Sequence, residues 1–367
     1  MFDTGSPILW VPSMRLAQER PMVRSAYNPD DSMSIVRKPR SITIQYGNYI
    51  ATGDIFSELV KLNGHPFRTE FSAINKIEGY VDQLYTIDGL FGLAKKQYYK
   101  QFKATPLDDM DAQKVIPKRQ FAFIFKRGGV SGTVVFGDIS KAHIPGTVNY
   151  VPVSKEFANK HEWIIKIRRP PRNADEYQAL LKDSAIAEHA LDTGHKIDLE
   201  NVEVLRRGLR STSHRLIAEA VEIAKHPSVN RMKGVELASV ITYEDGTVLA
   251  SDLSALLDTG AYRTYLPTSF ANRLFSGIWK QMNLDSRLVR CDAMYLMPTL
   301  LLNLEGHQLK WEPSQYIEQL DIGQCESTIQ PADLPFSYNA LMGISFLRHF
   351  AVIYDVDNDV VGFAEPI

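Results

Sequence analysis

The tripeptide Asp-Thr-Gly lies in matching contexts at residues 3–5 and 258–260. Each copy is followed, further along the chain, by an apolar run that holds a glycine, at residues 88–93 and at residues 340–346. One short motif matches by chance in many proteins, but two copies with the same companion segment indicate an imperfect internal duplication. The sequence therefore predicts two related halves that each contribute one carboxylate to a common site.

Two carboxylates held close together supply both halves of general acid–base catalysis. Like charges at short distance cannot both ionise easily, so one carboxyl group keeps its proton well above its usual pKa. The ionised group can then take a proton from water while the protonated group donates to a peptide carbonyl oxygen. We therefore expect Asp3 and Asp258 to form a catalytic carboxylate pair that activates water.

The residues around the two aspartates suit the same chemistry. Gly5 and Gly260 permit tight turns in which backbone amides approach the carboxylates. Thr4 and Thr259 are small hydroxyl residues that can tie the two loops together. The hydroxyl of Ser6 can donate a hydrogen bond to the carboxylate of its own motif and so favour the ionised form.

The remaining pattern is that of an all-β protein with one exceptional segment. Short apolar runs separated by turn residues predict an N-terminal β lobe at residues 1–155 and a C-terminal β lobe at 156–367. The second lobe is interrupted at about 168–233 by a charged stretch with helical spacing at 176–190 and 214–225, interpreted as a solvated, partly helical insertion.

The composition gives no sign of a nucleic-acid or membrane partner. The net charge is −2 with 23% charged residues, which gives no reason to expect binding to nucleic acid or to an anionic membrane. No apolar run approaches the length of a membrane span, so none is predicted.

Several segments together resemble the pepsin-like aspartic peptidases. The segment 2–13 is similar to the first active-site segment of that family, and Ile44-Gln45-Tyr46-Gly47 is similar to the flap, the hairpin that closes over substrate. Residues 88–93 and 341–348 resemble the segments that support the two catalytic loops, and 352–364 resembles the terminal strands. The resemblance covers about 1–167 and 235–367, with the motifs in the family's order.

The resemblance implies a bilobed pepsin-like fold with the active-site cleft between two related β lobes. It implies that Asp3 and Asp258 hold the attacking water, that Tyr46 and Gly47 belong to the flap, and that Trp10 holds the Tyr46 hydroxyl. It further implies peptide or protein substrates bound as an extended strand with apolar side chains near the cut, no metal and no cofactor, a monomer, and a secreted or vacuolar location.

The two cysteines, Cys291 and Cys325, lie where the family often has a disulfide in its C-terminal lobe. The resemblance therefore implies that they pair. The residues alone leave the question open, since two thiols would persist in a reducing compartment.

The chain departs from the family pattern at four places. Asp3 follows only two residues where the family has a further strand, so we expect the chain to be N-terminally truncated. Ala261 stands where most members have Ser or Thr, which removes a hydrogen bond to ionised Asp258 and is expected to shift activity toward less acidic pH. The flap tip, Asn48-Tyr49, is bulkier than usual, which alters either specificity or packing.

The fourth departure is a spare Asp-Thr-Gly at residues 192–194, inside the predicted insertion. Its first residue, Asp192, is followed by His195-Lys196 rather than by an apolar strand, so Asp258 is the preferred partner of Asp3. The alternative to an active enzyme is a catalytically inactive pepsin-like peptide-binding protein or a truncated remnant, which would keep the cleft and lose turnover.

Overall fold

A computed structural model describes residues 1–20, 23–47, 49–79, 88–157, 160–167, 240–243, 248–251, 253–275, 288–304, 307–321 and 323–367. The predicted insertion at 168–233, with Asp192, lies outside the described residues, and so does Asn48.

Strands predominate over short helices in the described residues. The strands are β1 (Phe2–Asp3), β2 (Trp10–Pro12), β3 (Val36–Tyr46), β4 (Tyr49–Leu62), β5 (His65–Gly79), β6 (Phe91–Gly92), β7 (Gln120–Phe125), β8 (Gly132–Phe136), β9 (Asn149–Pro152), β10 (Ile164–Ile167), β11 (Val240–Tyr243), β12 (Val248–Ser251), β13 (Leu253–Leu257), β14 (Thr264–Leu266), β15 (Leu288–Arg290), β16 (Leu300–Leu304), β17 (His307–Trp311), β18 (Ile317–Asp321), β19 (Gln324–Ser327), β20 (Ile329–Pro331), β21 (Ala340–Met342), β22 (Ala351–Asp355) and β23 (Val360–Ala364). The α-helices are α1 (Met14–Glu19), α2 (Pro106–Ala112), α3 (Thr268–Phe275), α4 (Pro313–Tyr316) and α5 (Ile344–Leu347), with 3₁₀ turns at Pro29–Asp31, Lys155–Phe157 and Cys291–Leu296.

The chain divides into two compact units. The first comprises Met1–Ile165, Ala255–Tyr265 and Ala340–Ile367, and the second comprises Lys166–Ser254 and Leu266–Asn339. Both paired Asp-Thr-Gly motifs lie in the first unit. The lobe boundary predicted between residues 155 and 156 stays a prediction.

One sheet of the first unit has the strand order β2-β5-β4-β3. Its longest hairpin, β4–β5, closes at Asn63 and Gly64, whose φ angles of 49° and 82° suit the Asn-Gly turn favoured between twisted strands. The hairpin predicted around Gly47 is confirmed by the antiparallel pairing of β3 with β4. The buried face of the β3–β4 hairpin contributes to an apolar core, which we call the flap-side core. This core consists of Ile8, Trp10, Leu16, Ile42, Ile44, Ala51, Ile55, Ile74, Ile77, Leu90 and Phe102.

A second sheet of the first unit has the order β8-β7-β22-β23-β9. The hairpins predicted from the apolar runs at 121–137 and 351–363 are both confirmed by its antiparallel registers. Its core is aromatic: the Phe121 and Tyr354 rings stack with centroids 4.9 Å apart, and the Trp163 ring meets the Tyr354 ring edge-on at 5.0 Å. These ring contacts stabilise the core of this sheet.

The second unit contains a four-stranded sheet, β12-β11-β16-β17, and a three-stranded sheet, β15-β19-β18. Its core includes Trp311 and Tyr316, which are fully buried with ring centroids 5.4 Å apart. Cys291 and Cys325 form a disulfide with Cα atoms 5.0 Å apart, so the pairing implied by the resemblance is confirmed. Within the described part of the chain, no helix combines the length and the apolar character that crossing a membrane requires.

Candidate active site

Each Asp-Thr-Gly motif is held by a parallel pair of short strands. In the first copy β1 pairs with β6, which sets Asp3 opposite Gly92. In the second copy β13 pairs with β21, and the Asp258 amide donates to the Met342 carbonyl at 3.1 Å. The apolar-glycine segments picked out in the sequence are therefore the strands on which the two motifs rest.

A glycine at the end of β6 (Gly92) and one directly after β21 (Gly343) permit a close backbone approach. A Cβ added at Gly92 would lie 2.3 Å from the Ile8 amide nitrogen, and one at Gly343 would lie 2.1 Å from the Arg263 carbonyl oxygen. No side chain fits at either place. This explains why the companion segment of each motif carries a glycine.

The Asp3 carboxylate is buried, with 4% of the residue exposed, and accepts two short hydrogen bonds. The Ser6 hydroxyl donates to Oδ2 at 2.6 Å, and the Gly5 amide donates to Oδ1 at 2.8 Å. Both donors favour the ionised carboxylate over the protonated one.

The second copy repeats this turn with one difference. The Gly260 amide donates to Asp258 Oδ1 at 2.8 Å, as Gly5 does in the first copy. Ala261 occupies the position of Ser6 and has no hydroxyl to offer. Asp258 therefore lacks the side-chain donor that Asp3 has.

Each motif glycine lies directly against the opposite aspartate. A Cβ on Gly5 would lie 2.7 Å from Asp258 Oδ1, and a Cβ on Gly260 would lie 2.4 Å from Asp3 Oδ1. The two carboxyl groups are themselves within hydrogen-bonding reach of each other. Only glycine leaves room for this juxtaposition of the two aspartates.

The two threonines join the motifs by reciprocal hydrogen bonds. The Thr4 amide donates to Thr259 Oγ1 at 3.0 Å, and the Thr259 amide donates to Thr4 Oγ1 at 2.9 Å. Their hydroxyls donate onward to the carbonyls of Leu257 and Phe2, at 2.8 Å and 3.0 Å. This buried network fixes the spacing between the two loops.

Burial and mutual repulsion govern the charge of the pair. Burial raises the pKa of Asp3, while the hydrogen bonds from Ser6 and Gly5 lower it in part. Burial also raises the pKa of Asp258, and the negative charge of Asp3 raises it further. One proton is consequently retained by the pair above the pH at which an exposed aspartate would lose it, and it belongs to the pair as a unit.

Tyr46, at the tip of the β3–β4 hairpin, lies near this pair. The indole Nε1 of Trp10 donates to the Tyr46 hydroxyl oxygen at 2.9 Å, and Trp10 is fully buried in the flap-side core. Burial and then the negative charge of Asp3 raise the pKa of Tyr46, so it stays a neutral phenol. Gly47 follows and is exposed, and a Cβ added there would meet no atom within 4 Å.

Trp163 is a structural contributor that the sequence motifs did not reveal. Its indole Nε1 donates to the Leu93 carbonyl at 2.9 Å, just beyond β6, and its own carbonyl accepts from the Leu257 amide at 3.0 Å, just before Asp258. One buried residue thus contacts the supports of both motifs. Its only sequence signal is a tryptophan beside an apolar run, which is typical of any core.

Cys291 and Cys325 belong to the second unit, whereas both paired motifs belong to the first. Among the residues that the structure describes, no group of three His, Cys, Asp or Glu side chains is arranged to hold a metal ion.

The profile of the eukaryotic aspartyl protease family matches residues 1–206 and 219–366. The chain therefore belongs to this family and is, by class, an aspartic-type endopeptidase. The predicted all-β, pepsin-like fold class is confirmed by this match together with the predominance of strands.

Curated relatives align over almost the whole chain at low identity. Pregnancy-associated glycoprotein 2 of Bos taurus is 23% identical over 372 residues, which cover all of this chain and 78% of the relative. Pepsin A of Sus scrofa is 24% identical over 370 residues, covering 99% of this chain and 76% of the relative. Pepsin-2B of Gadus morhua is 21% identical, with 99% of this chain and 90% of the relative covered.

Proposed function

We propose that Asp3 and Asp258 form the catalytic pair of an endopeptidase that cleaves proteins at acid pH. The observation that carries the proposal is the juxtaposition of the two carboxyl groups, each packed against the opposite motif glycine. The shared proton and the donors on Asp3 give the pair one ionised and one protonated member, as general acid–base hydrolysis requires.

In the proposed reaction, the ionised member takes a proton from water as the water oxygen attacks the peptide carbonyl carbon. The protonated member gives its proton to the carbonyl oxygen, which yields a neutral tetrahedral diol. The C–N bond then breaks as one diol hydroxyl returns its proton to the pair and the leaving nitrogen takes up a proton. The products are a carboxylic acid and an amine, and the pair is restored with a single proton.

The proposed substrate is an extended peptide with apolar side chains near the cut. An extended strand satisfies backbone hydrogen bonds along its length and leaves alternate side chains to determine specificity. The tip of the hairpin packs against the apolar flap-side core through Tyr46, which supports this preference. Turnover is expected below the raised pKa of the pair and is lost as pH rises through it, because the acid member is then ionised.

Cleavage of a denatured protein between acid and neutral pH tests the proposal. The wild-type chain is compared with Asp3→Asn, Asp258→Asn and the exposed control Asp31→Asn. We expect acid-pH cleavage by the wild type and by Asp31→Asn, and none by the other two variants. Folded wild-type protein that cleaves nothing, or an Asp258→Asn variant that still cleaves, would overturn the proposal.

A further inference from the structure

Tyr49 lies on the inward face of the flap hairpin. Strand register pairs Tyr49 with Tyr46. The next pair on the same face of the hairpin, two residues along each strand, is formed by Ile44 and Ala51. Ile44 and Ala51 are buried, at 1% and 0% exposed, so that alternation turns Tyr49 toward the same side. The outward face of the hairpin carries the exposed hydroxyl pair of Thr43 and Thr52 instead.

The Tyr49 ring is fixed by stacking. Its centroid lies 4.7 Å from that of Tyr46, with 24° between the ring planes. Both rings pack against the flap-side core, and Tyr46 is held in turn by the Trp10 indole. The Tyr49 ring therefore cannot turn aside without losing the stacking contact.

Tyr49 lies on the same side of the flap tip as Tyr46, on whose ring it stacks. Burial raises the pKa of its hydroxyl, and the negative charge of Asp3 raises it further. The ring is only partly buried, so part of it remains open to solvent at the flap tip.

We propose that Tyr49 determines specificity by occupying room beside Tyr46 at the flap tip, so that the substrate residue facing the flap tip carries a small side chain such as Ala. This inference rests on the proposed peptidase function and adds to it a size limit on the substrate. An aromatic side chain at that position would have to displace a ring that is stacked on Tyr46. Steric differences of this kind discriminate substrates by about 10- to 100-fold.

A peptide pair that differs in one residue next to the cleaved bond, Ala against Phe, provides the test. We expect the wild type to cleave the Ala peptide with the higher kcat/KM. Tyr49→Gly should raise kcat/KM for the Phe peptide by about 10-fold or more while the Ala peptide changes little. Tyr49→Phe keeps the ring and should keep the wild-type preference, and Thr43→Ala, on the outward face, should do the same.

Tyr49→Ala serves as a second variant with a better strand former than glycine, in case Tyr49→Gly does not fold. An unchanged Ala-to-Phe ratio in the folded variants would overturn the inference. So would an equal fall in kcat/KM for both peptides, since that would indicate that Tyr49 only positions Tyr46.

Binding of the same two peptides to Asp258→Asn and to the double variant Asp258→Asn/Tyr49→Gly separates this inference from the peptidase proposal. Tighter binding of the Phe peptide by the double variant alone supports the size limit even without turnover. Equal binding of both peptides to both proteins, or no binding at all, counts against it.

Discussion

Asp3 and Asp258 occupy equivalent turns but do not have equivalent surroundings. Asp3 accepts from a hydroxyl and an amide, at 2.6 Å and 2.8 Å, whereas the matching hydroxyl position beside Asp258 is Ala261. Since a hydrogen bond to the ionised form lowers a carboxyl pKa, the methyl group of Ala261 leaves Asp258 without a donor of the kind that lowers the pKa of Asp3.

Ala261→Thr should restore the missing donor. A hydrogen bond to a charged group contributes roughly 1.5 kcal/mol, which corresponds to about one pKa unit. We therefore expect the alkaline limb of the kcat/KM–pH profile to move about one unit toward acid pH. Ala261→Val, of similar shape without the hydroxyl, is the control, and an Ala261→Thr profile that coincides with the wild type would contradict the expectation.

Gly5→Ala should abolish most activity. The added Cβ would lie 2.7 Å from Asp258 Oδ1, so the carboxylate or the turn must move. Misplacement of a reacting group by about 1 Å costs on the order of 100-fold in rate. Gly146→Ala, which adds a Cβ in open space, is the matched control, and kcat measured at the pH optimum gives the comparison.

At the scale of elements, the site depends on short parallel strand pairs linked by one buried indole. The strands β1 and β6 pair over only two residues. Trp163 joins the supports of the two motifs through one side-chain and one main-chain hydrogen bond. Such short elements have little intrinsic stability, so tertiary contacts must hold them.

Trp163→Phe should weaken both the fold and the site. The change removes the donor to the Leu93 carbonyl and leaves a cavity, for an expected loss of about 2–4 kcal/mol in the free energy of unfolding. We expect kcat to fall as well, because Leu93 follows the strand that supports Asp3. Phe121→Leu also removes ring volume from this core but no donor, and should lower stability with less effect on kcat. Urea unfolding measures the stability of both variants, and kcat measures their activity. Equal kcat losses in the two variants would argue against a positioning role for Trp163.

At the scale of the whole molecule, the pair couples folding to pH. The folded-state pKa of Asp258 is raised, so the folded protein retains a proton that the unfolded chain has lost. The stability linked to this group is therefore fully present below the ordinary aspartate pKa of about 4 and is lost as pH rises through the raised value.

The free energy of unfolding should fall by up to about 1.4 kcal/mol per pH unit from this source across that window. Asp258→Asn removes the titration, so the difference between wild type and variant isolates it from the other ionisable groups. Urea unfolding at a series of pH values measures both. Parallel stability–pH curves for the two proteins would show that the pair retains no proton in the folded state.

Features that depend on local pattern were predictable from the sequence. The two Asp-Thr-Gly motifs, their glycine-bearing companions and the Tyr46 hairpin follow from residue types that few other arrangements tolerate. The hairpins at 121–137 and 351–363 were predictable because their strands are adjacent in the chain.

Only the tertiary structure decided the features that join distant residues. The role of Trp163 depends on a contact with Leu93 across 70 positions, and local periodicity carries no information about such a partner. The stacking of Tyr49 on Tyr46 depends on the strand register and on the core beneath it. Sequence by itself determined which residues carry the chemistry, because that chemistry needs particular side chains; the fold decided their distances, burial and charge, because those arise only when remote segments pack together.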